Sequence, residues 1–422
     1  MLGRIKKTIN RRIPSLFLRM KRMRRKFFGL KNRESHLRIP SEMTVEAFFQ
    51  TLRQASVNYV ILRRFEQLPE IQPGMRLELL VSDADADKVR DMLIEGTEGV
   101  ACELFSVSGL PDTSYKNMPL YPPELSGNIL SRAQVKEELY RIPASGHQSL
   151  ILAYLAVYHY GYRSGIPSGY SAGDSERNDN RSRHRYPDTN EIAEMLRKQI
   201  WKLDPAPDFT LEGLDAWLAE QGWRPPVDML SRYVKSNNWL YDHFFANQPA
   251  IPDAEKGLAC FVFRDKASHK DILELFIPGL AKEGFEILKV IQLQNDAKTA
   301  AKKHIRGGNW GMGSWPASGG DPNVIAIVRD RKPKPVPDYL AYKYPLLDNI
   351  RLYNAKTRIR NRFNDKLADE HQHCSVVHVT DNAREAWEYM NITMPDIKPR
   401  IKDLIYNKKT EKQVNRAERI IY

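Results

Sequence analysis

The chain has 422 residues, a mass of 48.8 kDa and 42% hydrophobic content, enough for two or three domains that each bury a core. Its formal net charge of +13 is concentrated: residues 1–33 hold thirteen Lys and Arg and no acid, leaving 52 basic against 52 acidic groups in the other 389 residues. A nucleic-acid-binding body is therefore excluded, and Cys102, Cys260 and Cys374, far apart and without a CxxC pair, fit a reducing compartment and argue against a disulfide framework or zinc site.

Residues 1–35 interleave the cations with Leu16, Phe17, Leu18, Met20, Met23, Phe27, Phe28 and Leu30. Apolar groups for the acyl boundary among cations worth about 1 kcal/mol each near an anionic surface predict a peripheral membrane arm. A presequence, an RNA-binding arm and a solvated basic tail are the rival readings. No apolar run approaches the ~20 residues of a membrane span, and no h-region with an A-x-A site marks a secretory signal.

Residues 42–115 are expected to be a small α/β unit. "VEAFFQTLRQA" has helical spacing, "NYVILRRFEQLP" and "GMRLELLV" read as strands, and a helix carrying Val89, Met92 and Leu93 follows. Residues 116–248 are mostly helical: "GHQSLILAYLAVYHYGYRSG", "EIAEMLRKQIWKL" and "LEGLDAWLAEQGW", with a polar mobile loop over 164–190. The tyrosines around His159 also fit a packed stripe.

After the Pro-containing linker "NQPAIPDAEKG", residues 257–392 open a new pattern. "LACFVF", "FEILKVIQL", "NVIAIV" and "CSVVHV" read as strands, with helices over "SHKDILELFIPGLAKEG" and "DNAREAWEYM", the first opened by a capping box of Ser268 and Asp271. The order predicts an antiparallel sheet with helices on one side, the split βαβ or ferredoxin-like arrangement. Residues 393–422 read as a basic tail. The fold class is thus α/β and α+β, in several domains.

His378 sits where a short strand turns into a helix. A neutral imidazole is a competent nucleophile toward phosphorus, and phosphoryl transfer otherwise needs positioning and cations around the transferring oxygens. Candidate cations are Lys356, Arg358, Arg360 and Arg362 beside Thr357, then Arg264 and Lys266, then Lys302, Lys303 and Arg306 before a glycine-rich stretch. His371 and His373 read as a solvated turn, and no metal-ligand set is assigned.

"LACFVFRDKA", "KEGFEILKVIQL", "TRIRNRF" and "SVVHVTDNAREA" resemble a divergent nucleoside diphosphate kinase domain. The resemblance implies that His378 is a phosphorylated histidine with Thr380 beside it. It further implies phosphate contacts from Arg264, Thr357, Arg360 and Ser375, a nucleoside triphosphate as donor, and magnesium as its companion. The chain departs from the family pattern in Arg264 for a lysine, Ser375 for an asparagine and Val379 for a glycine.

"YVILRRFEQLPEIQPGMRLELLV" resembles the nucleotidyltransferase-like proteins of bacterial surface-glycan clusters, with Arg76 and Glu78 where that family places an Asp-x-Asp metal pair. Through "MPLYPPELSGNIL", "YHYGYRSGIP" and "GWRPPVDML" the helical region shares the resemblance, which implies a second site of Glu78, Arg76, His159 and Arg163. Together these features lead to an expected activity: a cytoplasmic enzyme, peripheral to the inner membrane, transferring a phosphoryl or phosphate-linked group from a nucleotide to a glycan or lipid-linked acceptor. The alternative is a catalytically silent nucleotide-binding scaffold or regulator of a glycan-synthesis complex. The oligomeric state is left open.

Overall fold

The structure is a computed structural model that describes residues 37–71, 75–116, 118–170, 189–246, 249–306, 319–341, 343–367 and 373–406. The basic arm, most of the predicted mobile loop, the glycine-rich stretch 307–318, His371 and residues 407–422 lie outside the described residues. The chain forms two units, one from residues 1–115 and 126–144 and the other from 116–125 and 145–422. The segment 126–144, expected in the helical region, thus belongs with the α/β unit. The helical region and the C-terminal sheet domain, expected to be separate, form one unit.

In the first unit, strands β1 (Leu37–Ile39), β2 (Tyr59–Ile61), β3 (Arg76–Val81), β4 (Ile94–Glu95) and β5 (Val100–Ser106) form one sheet in the order β2-β3-β5-β1-β4. β3 and β5 run parallel, and the other pairs are antiparallel. Helix α1 (Val45–Gln54) begins where Thr44 Oγ1 accepts a hydrogen bond from Ala47 N (3.1 Å), and it buries Val45, Phe48, Phe49 and Leu52. Helix α2 (Ala86–Met92) adds Val89, and a hairpin of β6 (Gln134–Lys136) and β7 (Tyr140–Ile142) adds Tyr140 to the same core. Residues 123–131 form helix α3.

The second unit is built around α4 (Ser145–Tyr154), which continues as a π-helical turn over Leu155–Tyr160. Every residue from Leu150 to Tyr158 is buried, as a helix apolar on all sides must be. Asn237 Nδ2 donates to Val157 O (2.8 Å) and Tyr158 O (3.0 Å) near the end of that turn. At Gly161 (φ +54°) a Cβ would meet Asn237 Oδ1 at 2.0 Å, so only glycine fits there. Around α4 lie α5 (Thr189–Ile200), α6 (Leu211–Glu220), α7 (Val227–Tyr233) and α8 (Asn238–Tyr241).

The sheet of this unit comprises β8 (Leu258–Arg264), β9 (Phe285–Gln292), β10 (Pro322–Asp330) and β11 (Val377–Val379), ordered β11-β8-β10-β9 with every pair antiparallel. Helix α9 (Lys270–Lys282) and α12 (Ile350–Asn364) cover one face, packing on Ala259, Phe261 and Phe263. The other face is covered by α10 (Asn295–His304), α13 (Ala383–Thr393) and α14 (Lys398–Tyr406), against Leu258, Cys260 and Val262. Helices on one side only was therefore the wrong expectation. β8 is buried at all seven positions, and a strand apolar on both faces has to be covered on both. A short helix, α11 (Asp338–Ala341), lies between β10 and α12.

Two further expectations are corrected. Helix α9 starts at Lys270 after His269, with no side-chain cap, and the Ser268 hydroxyl donates to Asp265 O (2.9 Å). The segment expected to be a basic tail forms α14 as far as Tyr406, with Ile401 and Ile405 buried because they complete the second face of the sheet.

Candidate functional site

β11 is an edge strand. Its alternation sends Val377 and Val379 into the core beneath α12, and His378 to the opposite face, where α13 packs. At an open edge the carbonyls of residues 377 and 379 lack a strand partner, and two arginines supply one. Arg360 Nε and Nη2 donate to Val377 O (2.9 and 2.7 Å), and Arg306 Nη2 donates to Val379 O (3.3 Å).

Beside this edge is a cavity of about 290 Å³. The sheet domain contributes Arg306, Tyr344, Pro345, Leu346, Tyr353, Lys356, Thr357, Arg360, His378 and Asp381 to its wall. Helix α7 and its C-terminal extension contribute Asp228, Ser231, Arg232 and Lys235. Five cations thus face two carboxylates. Asp381 is engaged by Arg306 (3.1 Å), which also makes a bidentate pair with Glu385. Ammonium groups at Lys235 and Lys356 lie over the rings of Tyr344 (4.5 Å) and Tyr353 (5.4 Å).

Burial and crowding of like charge set the protonation states. Burial pushes Lys356 down to about 8, with Arg360 and Arg306 adding to the effect. Lys235 is likewise lowered to about 8 by burial and then by Arg232. Arg360 falls to about 10, by burial and then Arg264. His378, 4% exposed, is held well below the ordinary imidazole range by burial first and then by Arg306, Lys356, Arg360 and Arg264, so its ring is neutral near pH 7. A neutral nucleophile in a wall of cations, with few carboxylates to answer them, can receive a multiply charged anion and attack it.

Of the residues implied by the kinase-like resemblance, His378, Thr357 and Arg360 meet in this cavity. The Thr357 hydroxyl donates to Tyr353 O (2.8 Å). Thr380 is fully buried and Cys260 N donates to its Oγ1 (3.0 Å), so it staples β8 and does not line the cavity. Arg264 is 1% exposed and donates to Gly320 O (2.7 Å); its charge reaches His378 although it is not in the wall. Ser375 lies beyond the far end of β11, near Gly319.

The second expected set divides between the units. In the first, Glu78 is buried and held by the Arg63 guanidinium, Nε to Oε2 at 2.7 Å, while Arg76 pairs with Glu103 (2.8 Å). Glu78 is thus no exposed strand charge, because the sheet's own packing brings an arginine to it. In the second unit, His159 is buried against Tyr154 and Tyr233, and Arg163 donates to His159 O and Ser236 O (both 3.2 Å). Neither residue lines the cavity.

Sequence reading missed Arg232, Lys235 and Tyr389. The available signal for the first two was the polar face of "VDMLSRYVK", whose other face buries Met229, Leu230, Tyr233 and Val234. Tyr389 lay within the apolar stripe of α13. A second depression of about 320 Å³, between α9 and α12, contains Arg358, whose charge is paired with Glu283, and has no histidine. No group of three or more potential metal ligands occurs among the described residues, and no helix there is long and apolar enough to cross a membrane. Comparison with family models, curated proteins and solved structures finds no match for this chain.

Proposed function

We propose that the cavity binds the phosphate groups of a nucleoside triphosphate and that His378 relays a phosphoryl group from it to an acceptor. The observation that carries this reading is the neutral imidazole in a cavity wall that holds, among the described residues, five cations and two carboxylates. Arg232, Lys235, Lys356 and Arg360 would neutralise the phosphate oxygens, and any magnesium would arrive on the nucleotide rather than on protein carboxylates. The strand order supports a ferredoxin-like, nucleoside diphosphate kinase-like fold, because β8 and β9 flank β10 while β10 and β11 flank β8, a split βαβ twice over. The acceptor would be a surface glycan or lipid-linked precursor, brought near by the basic arm at the cytoplasmic side of the inner membrane.

A second reading, a catalytically silent nucleotide-binding scaffold, is favoured by the first unit. There Glu78 is paired with Arg63 and its neighbour on β5, Glu103, with Arg76, so the carboxylates where a nucleotidyltransferase-like fold would hold a metal are both engaged by arginines. One experiment separates the readings. The protein and His378→Ala are incubated with γ-labelled ATP or GTP and magnesium, and acid-labile, alkali-stable label is measured. Label on the wild type alone supports the relay. Nucleotide binding without label supports the scaffold.

A further inference from the structure

The Tyr389 hydroxyl, buried on α13, lies 3.0 Å from His378 Nε2, 3.0 Å from Glu385 Oε1 and 2.7 Å from the Arg306 carbonyl oxygen. A phenol has one proton to give. Glu385, paired with Arg306, and the Arg306 carbonyl are both pure acceptors, and two oxygens without a proton do not approach to 2.7–3.0 Å at no cost. With that proton on the imidazole both oxygen contacts would lack one, and with it on either oxygen only one contact does, so the Tyr389 proton goes to an oxygen and the contact with the imidazole is made by a proton on Nε2, with the phenol oxygen accepting.

We infer that Tyr389, braced by Glu385 and the Arg306 carbonyl, is the positioning residue that fixes His378 in its Nε2–H tautomer and so puts the ring's lone pair on Nδ1. This inference rests on the relay reading above, and it names the residue that orients the nucleophile. In the transfer, Nδ1 forms a bond to the terminal phosphorus. The bond from that phosphorus to the bridging oxygen breaks, and its electron pair leaves with the nucleoside diphosphate. The ring gains a positive charge and retains its Nε2 proton, which faces the tyrosine oxygen and, through that hydroxyl, the Glu385 carboxylate. Attack by an acceptor oxygen on the same phosphorus breaks the Nδ1–P bond, whose electron pair returns to Nδ1, and with loss of the acceptor's proton to solvent the neutral ring is restored.

The test uses the full chain with ring-labelled ¹⁵N-histidine, in which long-range proton–nitrogen spectra distinguish the tautomers and His378→Gln assigns the signal. The expected result is a single Nε2–H tautomer in the wild type and mixed tautomers in Tyr389→Phe. Phosphohistidine formation in that variant should fall by about 10–100-fold, the range for partners that fix a histidine's tautomer elsewhere. A wild-type Nδ1–H tautomer, or an unchanged Nε2–H tautomer in a folded Tyr389→Phe, overturns the inference. The wild-type spectrum alone decides if the variant fails to fold. Absence of phosphohistidine in a wild type that shows the Nε2–H tautomer would sink the relay and leave the assignment of Tyr389 standing.

Discussion

Replacing Lys356 by methionine should change stability and anion affinity in opposite directions. Burial in the cavity wall lowers Lys356 to about 8, whereas the unfolded chain holds its ammonium near the ordinary value of roughly 10.4. At about 1.4 kcal/mol for each tenfold change in proton affinity, the charged form costs the folded state at most about 3 kcal/mol. Partial exposure and cation–π contact with Tyr353 bring the expected cost to about 1–2 kcal/mol.

The sign follows from proton binding. Between pH 8 and 10.4 the unfolded state holds more protons, so stability from this group rises with pH across that window, and below pH 8 the whole cost is present. Lys356→Met should therefore raise the apparent Tm measured without added anion at pH 7 and lose that advantage above pH 10. Binding of pyrophosphate, measured by titration calorimetry at pH 7, should weaken by about tenfold or more, because one neutralising cation is gone. In the wild type, affinity should decline as pH rises through 8, where Lys235 and Lys356 discharge. A variant that is less stable at pH 7 and binds pyrophosphate unchanged would refute the argument that this ammonium is held in reserve for an anion.

Arg306→Met should leave buried Asp381 and half-buried Glu385 without that cation and cost about 3–5 kcal/mol in chemical denaturation; a neutral outcome would contradict the described network. Thr380→Val removes the acceptor for Cys260 N and should cost about 1–3 kcal/mol of stability while leaving phosphohistidine formation per folded molecule intact, a split that a labelling assay on thermally characterised protein would show. Glu78→Ala, which removes the carboxylate that the Arg63 guanidinium grips with two nitrogens, should lower stability by about 3 kcal/mol without abolishing labelling of His378. Burial raises all three cysteine thiols above the usual range, so a disulfide-exchange reagent should find no fast-reacting thiol among them in the native protein and three in denaturant.

Local order was largely legible in the sequence. The β-branched and aromatic runs at 258–263 and 324–328 are strands, and the helix expected over 381–390 is α13, shifted to Ala383–Thr393 because Asn382 is its cap, accepting from Glu385 N (3.0 Å). Period and capping depend on neighbours a few residues away, which a sequence displays. His378, Thr357 and Arg360 could also be picked out, because imidazole and guanidinium at a strand end and on an adjoining helix are distinctive in chemistry.

Only the tertiary structure decided what those groups face. Arg232 and Lys235 join His378 across more than 140 residues of chain, since α7 with its C-terminal extension and the edge strand β11 line one cavity. Thr380 turned inward to Cys260 N, Glu78 met Arg63, and the tautomer of His378 depends on a tyrosine hidden in a core stripe. Charge compensation and proton affinity are set by through-space distance and burial, which long-range packing creates and no local pattern encodes. The sequence by itself determined which segments could be helix or strand and where the excess charge lies; packing determined which cations share a cavity, and with it the chemistry this protein can perform.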